Sequence, residues 1–175
     1  MTNYFELYDL PLSFYPDADW VKKKYYELSR KYHPDRAQQD GSAANTTEVL
    51  QMSATINEAF KVFKNSDATM AYILKLKGLL ADEAHYALPP SFLMEMMDLN
   101  ELISELEPGN ETMLQQATAT MQQHLNQWET AIKQLTDQYK EDLHDTYLLL
   151  KIKDYYFRKK YLLRIKERID KFAAR

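Results

Sequence analysis

Trp20-Val21-Lys22-Lys23-Lys24-Tyr25-Tyr26-Glu27-Leu28-Ser29-Arg30-Lys31-Tyr32-His33-Pro34-Asp35-Arg36 carries the most telling pattern in this chain. Wound as a helix, it sets Val21, Tyr25, Leu28 and Tyr32 on one face at spacings of 4, 3 and 4, the recurrence of a buried stripe. Lys22, Lys23, Tyr26, Arg30 and Lys31 fall on the remaining faces and stay in water. Pro34 has no N–H to donate and disfavours helical torsions at His33, so the helix stops there and turns His33, Asp35 and Arg36 to solvent. The pattern predicts a basic amphipathic helix that ends in an exposed polar corner.

Three residues specify little without their surroundings. Before the helix lies a short apolar segment, Tyr4-Phe5-Glu6-Leu7-Tyr8-Asp9-Leu10-Pro11; after a polar loop a further helix carries Val49, Met52, Ile56, Ala59, Phe60 and Phe63 at helical spacing. Residues 2–77 together resemble a J-domain, the module that stimulates ATP hydrolysis by chaperones of the DnaK class. The likeness rests on Tyr4-Phe5, Leu7, Leu10-Pro11, Leu28, Tyr32-His33-Pro34-Asp35-Arg36 and Ile56-Asn57-Glu58-Ala59-Phe60.

Composition agrees with an all-helical interaction protein. A chain of 175 residues with 45% hydrophobic content can bury one large core or two small ones, and three glycines are few. With no cysteine there is no disulfide frame, no thiolate nucleophile and no cysteine metal site, and the histidines at 33, 85, 124 and 144 show no ligand spacing. No metal and no cofactor are expected. The N-terminus has neither a secretory nor an organelle-import pattern, and no apolar run approaches about 18 residues. The expectation is a cytoplasmic, unprocessed protein without a membrane partner.

A net charge of -4 conceals segregation. Residues 1–78 carry 10 Lys and Arg against 10 Asp and Glu, residues 79–145 carry 2 against 13, and residues 146–175 carry 10 against 3. The acidic middle repels nucleic acid, so none is expected as a partner. The simplest account of the pattern is an acidic pair of helices packed beside a basic one.

The chain breaks at Lys77-Gly78 and at Pro89-Pro90. A helix from Ala68 to Lys77 closes the first domain with Gly78 as its stop, and Ser91 is the candidate N-cap of the next long helix. Three helices are predicted in this second part, over 91–107, 111–140 and 143–173, with turns at Pro108-Gly109-Asn110 and at Glu141 to Asp145. Leu114, Ala117, Met121, Leu125, Trp128, Ile132, Leu135 and Tyr139 form nearly a heptad seam in the second of these. The expected architecture is all-α: an N-terminal J-domain over 1–77, made of a helical hairpin plus short helices, a connector over 78–90, and a C-terminal antiparallel three-helix bundle over 91–175.

The predicted helix 91–107 has more apolar surface than one core needs. Phe92, Met96, Leu99, Ile103 and Leu106 cluster on one arc as a buried seam, whereas Leu93, Met94 and Met97 lie away from it beside Asp98, Glu101 and Glu105. Either the helix is buried on two sides, or it exposes a Leu/Met patch rimmed by carboxylates, a composition suited to binding a partner.

The segment Ser91-Phe92-Leu93-Met94-Glu95-Met96-Met97-Asp98-Leu99 is similar to the Phe-Leu-Met-Glu motif that opens the C-terminal bundle of the HscB family, J-type co-chaperones of iron–sulfur cluster assembly. Ser53-Ala54-Thr55-Ile56-Asn57-Glu58-Ala59 likewise resembles that family's third J-domain helix. The resemblance implies a DnaK/HscA-type chaperone bound through the J-domain and an IscU-type scaffold protein bound through the bundle. The chaperone-facing residues it implies are His33, Pro34, Asp35 and Arg36, joined by Lys22, Lys23, Tyr26 and Arg30 of the basic helix. The scaffold-facing ones are Leu93, Met94, Met97, Asp98, Glu101, Glu105 and, from the last helix, Tyr156. Two departures stand out. Thr69-Met70-Ala71-Tyr72-Ile73-Leu74 takes the place of the family's Arg-Ala-x-Tyr-Leu-Leu, and the cysteine-rich segment that eukaryotic relatives add before the J-domain is absent, which points to the bacterial type.

The resemblance implies an adaptor, not a catalyst. Its basic helix would steer onto an acidic chaperone surface, and the His-Pro-Asp corner would favour the hydrolysis-competent state by binding it better than the resting one. A general J-domain adaptor with a different client is the main rival reading. A hydrolase built on His33 and Asp35 has no companion nucleophile or phosphate loop. A nucleic-acid binder built on Lys22 to Lys24 and the basic last helix would show itself by salt-dependent DNA binding.

Overall fold

The computed structural model describes residues 2–33, 43–81, 86–140 and 145–174, the first four residues of the second stretch by backbone alone. Among the described residues the chain is all-helical, with eight helices, and it divides into two compact units, Met1–Lys77 and Gly78–Arg175.

The first unit holds α1 (Tyr4–Leu7), α2 (Ala18–Lys31), α3 (Ala43–Phe63) and α4 (Ser66–Leu76). Asp17 caps α2 by accepting the Trp20 N–H at 2.7 Å, and Tyr32 is the C-cap, two residues short of Pro34. The α2 stripe faces α3: Val21 and Leu28 are buried, and Tyr25 stacks on Phe60 at 4.1 Å while its hydroxyl donates to Asn57 at 3.0 Å. The short apolar segment becomes α1, which supplies Phe5 against Phe63 and a fully buried Tyr8. A phenol in an apolar core needs a partner, and the Tyr8 hydroxyl donates to the Ile56 carbonyl at 2.8 Å.

α4 starts two residues before the predicted Ala68, because Asn65 caps it by accepting the Ala68 N–H, and it ends at Leu76. Gly78 follows in the left-handed region at φ +73°, the torsion a helix stop favours. Tyr72 stacks on Tyr4 at 4.4 Å and accepts its backbone N–H at 2.9 Å, tying α4 to α1. Thr69, where the family motif has arginine, is fully buried and donates to the Val62 carbonyl at 2.9 Å. A short hydroxyl bonded to the preceding turn satisfies that position without a buried charge.

The second unit holds α5 (Pro90–Glu95), α6 (Met97–Ser104), α7 (Glu111–Gln138) and α8 (Thr146–Ala173). The single helix predicted over 91–107 is thus two. It starts earlier, with Pro89 as N-cap instead of Ser91 and Pro90 at the first helical position, where a missing N–H costs nothing. It breaks at Met96, whose ψ of -5° flattens one turn. The Met96 carbonyl there accepts both the backbone N–H of Asn100 at 3.0 Å and its side-chain amide at 2.8 Å, a local bond that competes with regular helix geometry. The expected seam survives the break: Phe92, Met96, Leu99 and Ile103 are buried and Leu106 is half-buried.

Ala117, Met121, Trp128 and Ile132 of α7 are buried, as are Leu148, Ile152, Phe157, Leu162, Ile165 and Ile169 of α8, and the two helices pair along their length with α6 against α7. Trp128 donates its indole N–H to the Tyr155 carbonyl at 2.7 Å, fixing the register. Gly109, at φ +87°, makes the first turn and Asn110 caps α7; Asp145 caps α8, and the rest of the second predicted turn lies outside the described residues. Residues 78–81 and 86–89 fall within the second unit, where Tyr86 stacks on Phe157 at 4.1 Å.

Candidate functional site

α2 presents one candidate surface. Lys22, Lys23, Tyr26 and Arg30 lie on it, and Lys23, Tyr26, Glu27, Arg30 and Lys31 line a shallow, open depression. The last lysine of the triplet behaves differently. Lys24 reaches Asp9 at 2.7 Å and Glu27 at 2.9 Å with its side chain only 14% exposed, and the bond to Asp9, followed by that to Glu27, raises its ammonium pKa above the ordinary range. Two neighbouring cations, Lys22 and Lys23, therefore project from the start of this face, and Lys23 lies 5.4 Å over the Trp20 ring. Arg30 and Lys31 occupy the last turn, where the helix dipole favours positive charge. His33 is exposed just beyond the C-cap. Pro34, Asp35 and Arg36 lie outside the described residues.

The second surface is on α5 and α6. Leu93, Met94 and Met97 are 41%, 69% and 64% exposed, although each sits within one or two residues of a buried seam position. Asp98, Glu101 and Glu105 accompany them, all three exposed. Met97, Glu101 and Glu105 follow at intervals of four along α6 and its C-cap, and Leu93 and Met94 precede them on α5, so the stripe is apolar at its start and acidic at its end. Water is in contact with three large apolar side chains that a folded unit could otherwise have covered.

Tyr156 lies on α8, T-shaped against Phe157 at 5.2 Å with Lys160 5.2 Å over its ring. Five residues on, about 140° further around the helix, Tyr161 meets Phe92 of α5 edge-on at 5.7 Å. The other six residues of the expected bundle site lie on α5, α6 and the C-cap of α6, and Tyr156 lies on α8.

One cluster went unnoticed in the sequence. Tyr86 donates to Asp154 at 2.7 Å, the same carboxylate pairs with Arg158 at 2.6 Å, and the Arg158 guanidinium lies 5.1 Å over the Phe92 ring. Burial, followed by the bond to Asp154, pushes the Tyr86 phenol well above its usual range. The position of an aromatic residue shortly before two prolines was the one local signal available. Among the described residues no group of His, Asp and Glu could hold a metal ion, and no helix is long and apolar enough to cross a membrane.

The all-helical frame gives a class first: a first unit that resembles a J-domain, followed by a helical bundle. Comparison with known proteins gives the family. A family model described as the HSCB C-terminal oligomerisation domain matches residues 88–170. Co-chaperone protein HscB homologues of Neisseria meningitidis serogroups B and C are 35% identical over 112 residues, 63% of this chain and 67% of theirs. The structure of chaperone HscB from Vibrio cholerae is similar in fold, with a TM-score of 0.70 at 22% identity over 99% of this chain and 98% of that one. The crystal structure of human co-chaperone protein HscB gives 0.73 at 24% identity over 97% and 81%. The chain belongs to the HscB family of J-type co-chaperones of iron–sulfur cluster assembly.

Proposed function

We propose that this chain stimulates the ATPase of a DnaK/HscA-type chaperone through α2 and the His33-Pro34-Asp35-Arg36 corner, and delivers to it an IscU-type scaffold protein held on the α5–α6 stripe. The observation that carries the reading is the exposure of Leu93, Met94 and Met97 next to Asp98, Glu101 and Glu105 on helices whose other face is well packed. Clustered apolar side chains left in water mark an interaction surface, and unbranched thioethers adapt to a partner's relief. The acidic end selects a partner with basic residues beside its apolar contact. Lys22, Lys23, Tyr26 and Arg30 would meet an acidic chaperone surface in the same way. Tyr156 of α8 is the remaining residue of this scaffold site. Linking the two binding events through one chain raises the local concentration of scaffold at the chaperone.

The test is single-turnover ATP hydrolysis by an HscA-type chaperone with the chain alone, with an IscU-type scaffold alone, and with both. Stimulation by the chain that grows more than additively when the scaffold is present is the expected result. Stimulation without any added effect of the scaffold would assign the chain to a general J-domain adaptor with another client, and no stimulation would remove the proposal.

A further inference from the structure

α5 carries Leu93 and Met94, yet little within it can hold those side chains in one place. It has six residues, no side-chain cap on its N-terminus and a flattened turn at Met96 immediately after it. A helix this short has no stability of its own. Beside it lies a partly open cleft of about 280 Å³, lined by Phe92, Glu95, His124, Trp128, Tyr155 and Arg158 among others, so the packing of α5 through Phe92 and Met96 borders open space.

What anchors it comes from α8. The Arg158 guanidinium lies over the Phe92 ring at 5.1 Å and over Tyr155 at 4.8 Å, and Tyr161 meets the Phe92 ring edge-on. Arg158 cannot swing freely, because Asp154 one turn earlier holds it at 2.6 Å in a pair whose side chains are 21% and 17% exposed. Asp154 is itself held by the Tyr86 hydroxyl, and Tyr86 is stacked flat on Phe157 with 11° between the rings. From Tyr86 the chain reaches α5 through Ala87, Leu88 and the two prolines, whose fixed φ angles transmit the position of one end to the other. α5 is thus fixed twice by one cluster, through the backbone of 86–90 and through the ring of Phe92.

We propose that Tyr86, Asp154 and Arg158 are positioning residues that hold α5, and so hold Leu93 and Met94, in the orientation the client meets. The inference rests on the reading of the α5–α6 stripe as the client surface. It accounts for a partly buried ion pair and a bonded tyrosine that neither the α7–α8 seam nor the client surface requires.

The experiment uses the full chain with Tyr86→Phe, which keeps the stack and loses the hydroxyl, and Arg158→Met, which keeps the length and loses charge and plane. Hydrogen exchange of the Leu93 to Met97 amides is measured beside that of α7 and α8, and titration calorimetry is run against an IscU-type scaffold. Exchange in α5 should quicken and scaffold affinity fall by about tenfold in Arg158→Met, a fraction of what the lost cation–π contact and charge-assisted hydrogen bond contribute to holding α5. The fall should be smaller in Tyr86→Phe, with α7 and α8 protection unchanged in both. Arg158→Lys, which restores the charge without the plane, should recover part of the affinity. Unchanged α5 exchange overturns the inference, as does loss of protection spread evenly over α7 and α8. If the wild-type chain binds no scaffold, the functional reading fails, and the exchange measurement still decides whether this cluster positions α5.

Discussion

At the scale of single residues, His33 and Tyr8 of the first unit occupy opposite environments. His33 is exposed beyond the end of α2, so it has no part in the apolar core. His33→Gln should leave the helical circular dichroism and the thermal midpoint unchanged and abolish stimulation of the chaperone ATPase; single-turnover hydrolysis checks it, and retained stimulation would take the corner out of the mechanism. Tyr8 is the reverse case, fully buried with its hydroxyl on the Ile56 carbonyl. Tyr8→Phe should cost about 1 kcal/mol of stability, measured by denaturant unfolding, since one neutral hydrogen bond is lost without a cavity. Burial, then the neighbouring Tyr25, pushes the Tyr8 phenol well above its ordinary value. A group whose folded pKa is raised stabilises the fold fully below the unfolded value, about pH 10 for tyrosine, and that stability is lost as pH rises beyond it. The Phe variant should therefore lose less stability than wild type between neutral and strongly alkaline pH. Neither property of Tyr8 was legible in the sequence, which places it in a short apolar segment while its partner is 48 residues away.

At the scale of elements, legibility followed the strength of local periodicity. The α2 stripe and the α7 seam repeat over several turns, and both appear with Val21, Leu28, Ala117, Met121, Trp128 and Ile132 buried. The predicted helix 91–107 also repeats well, yet it is split, because periodicity sees side-chain direction and not a carbonyl shared between the backbone and the amide of Asn100. Tyr86 had no repeat to reveal it, since its contacts are with Asp154 and Phe157 on a helix far along the chain. For α2 the sequence showed three lysines in a row but not that Lys24 is engaged by Asp9 and Glu27. Reversing Lys22, Lys23 and Arg30 together to Glu, with Lys24 and its ion pairs kept, should leave the fold intact. The association rate with an acidic chaperone should fall by about tenfold or more, with dissociation little changed. Added salt should slow the wild type in the same manner. Stopped-flow rates indifferent to both would remove steering by this face from the mechanism.

At the scale of the whole molecule, the charge segregation of the sequence meets ion pairs that follow single helices. In the second unit Lys133–Asp137, Arg158–Asp154, Lys166–Asp170 and Lys171–Glu167 each run along a single helix, and a cation that crosses from α8 to α7, Lys159, does so over the Trp128 ring at 4.3 Å. α7 and α8 hold together through buried apolar and aromatic side chains and the Trp128–Tyr155 hydrogen bond, while Asp98, Glu101 and Glu105 face water. The basic face of α2 and the acidic stripe of α5–α6 belong to different units, each with its own core, and lesions in them should be independent. Replacing Leu93, Met94 and Met97 together with Ala should change unfolding stability by less than about 1 kcal/mol, because the side chains are already in water, and weaken scaffold binding by about 3 kcal/mol, the scale of clustered hot-spot residues. Were these residues part of the core, each truncation would instead cost about 2–5 kcal/mol of folding stability. The same triple variant should still stimulate the chaperone when no scaffold is present, and His33→Gln should still bind the scaffold with wild-type affinity. Calorimetry and ATPase assays on both variants and on their combination check this. A His33 variant that loses scaffold affinity, or an unstable triple variant whose folded fraction binds normally, would show that the two surfaces are not the separate sites proposed.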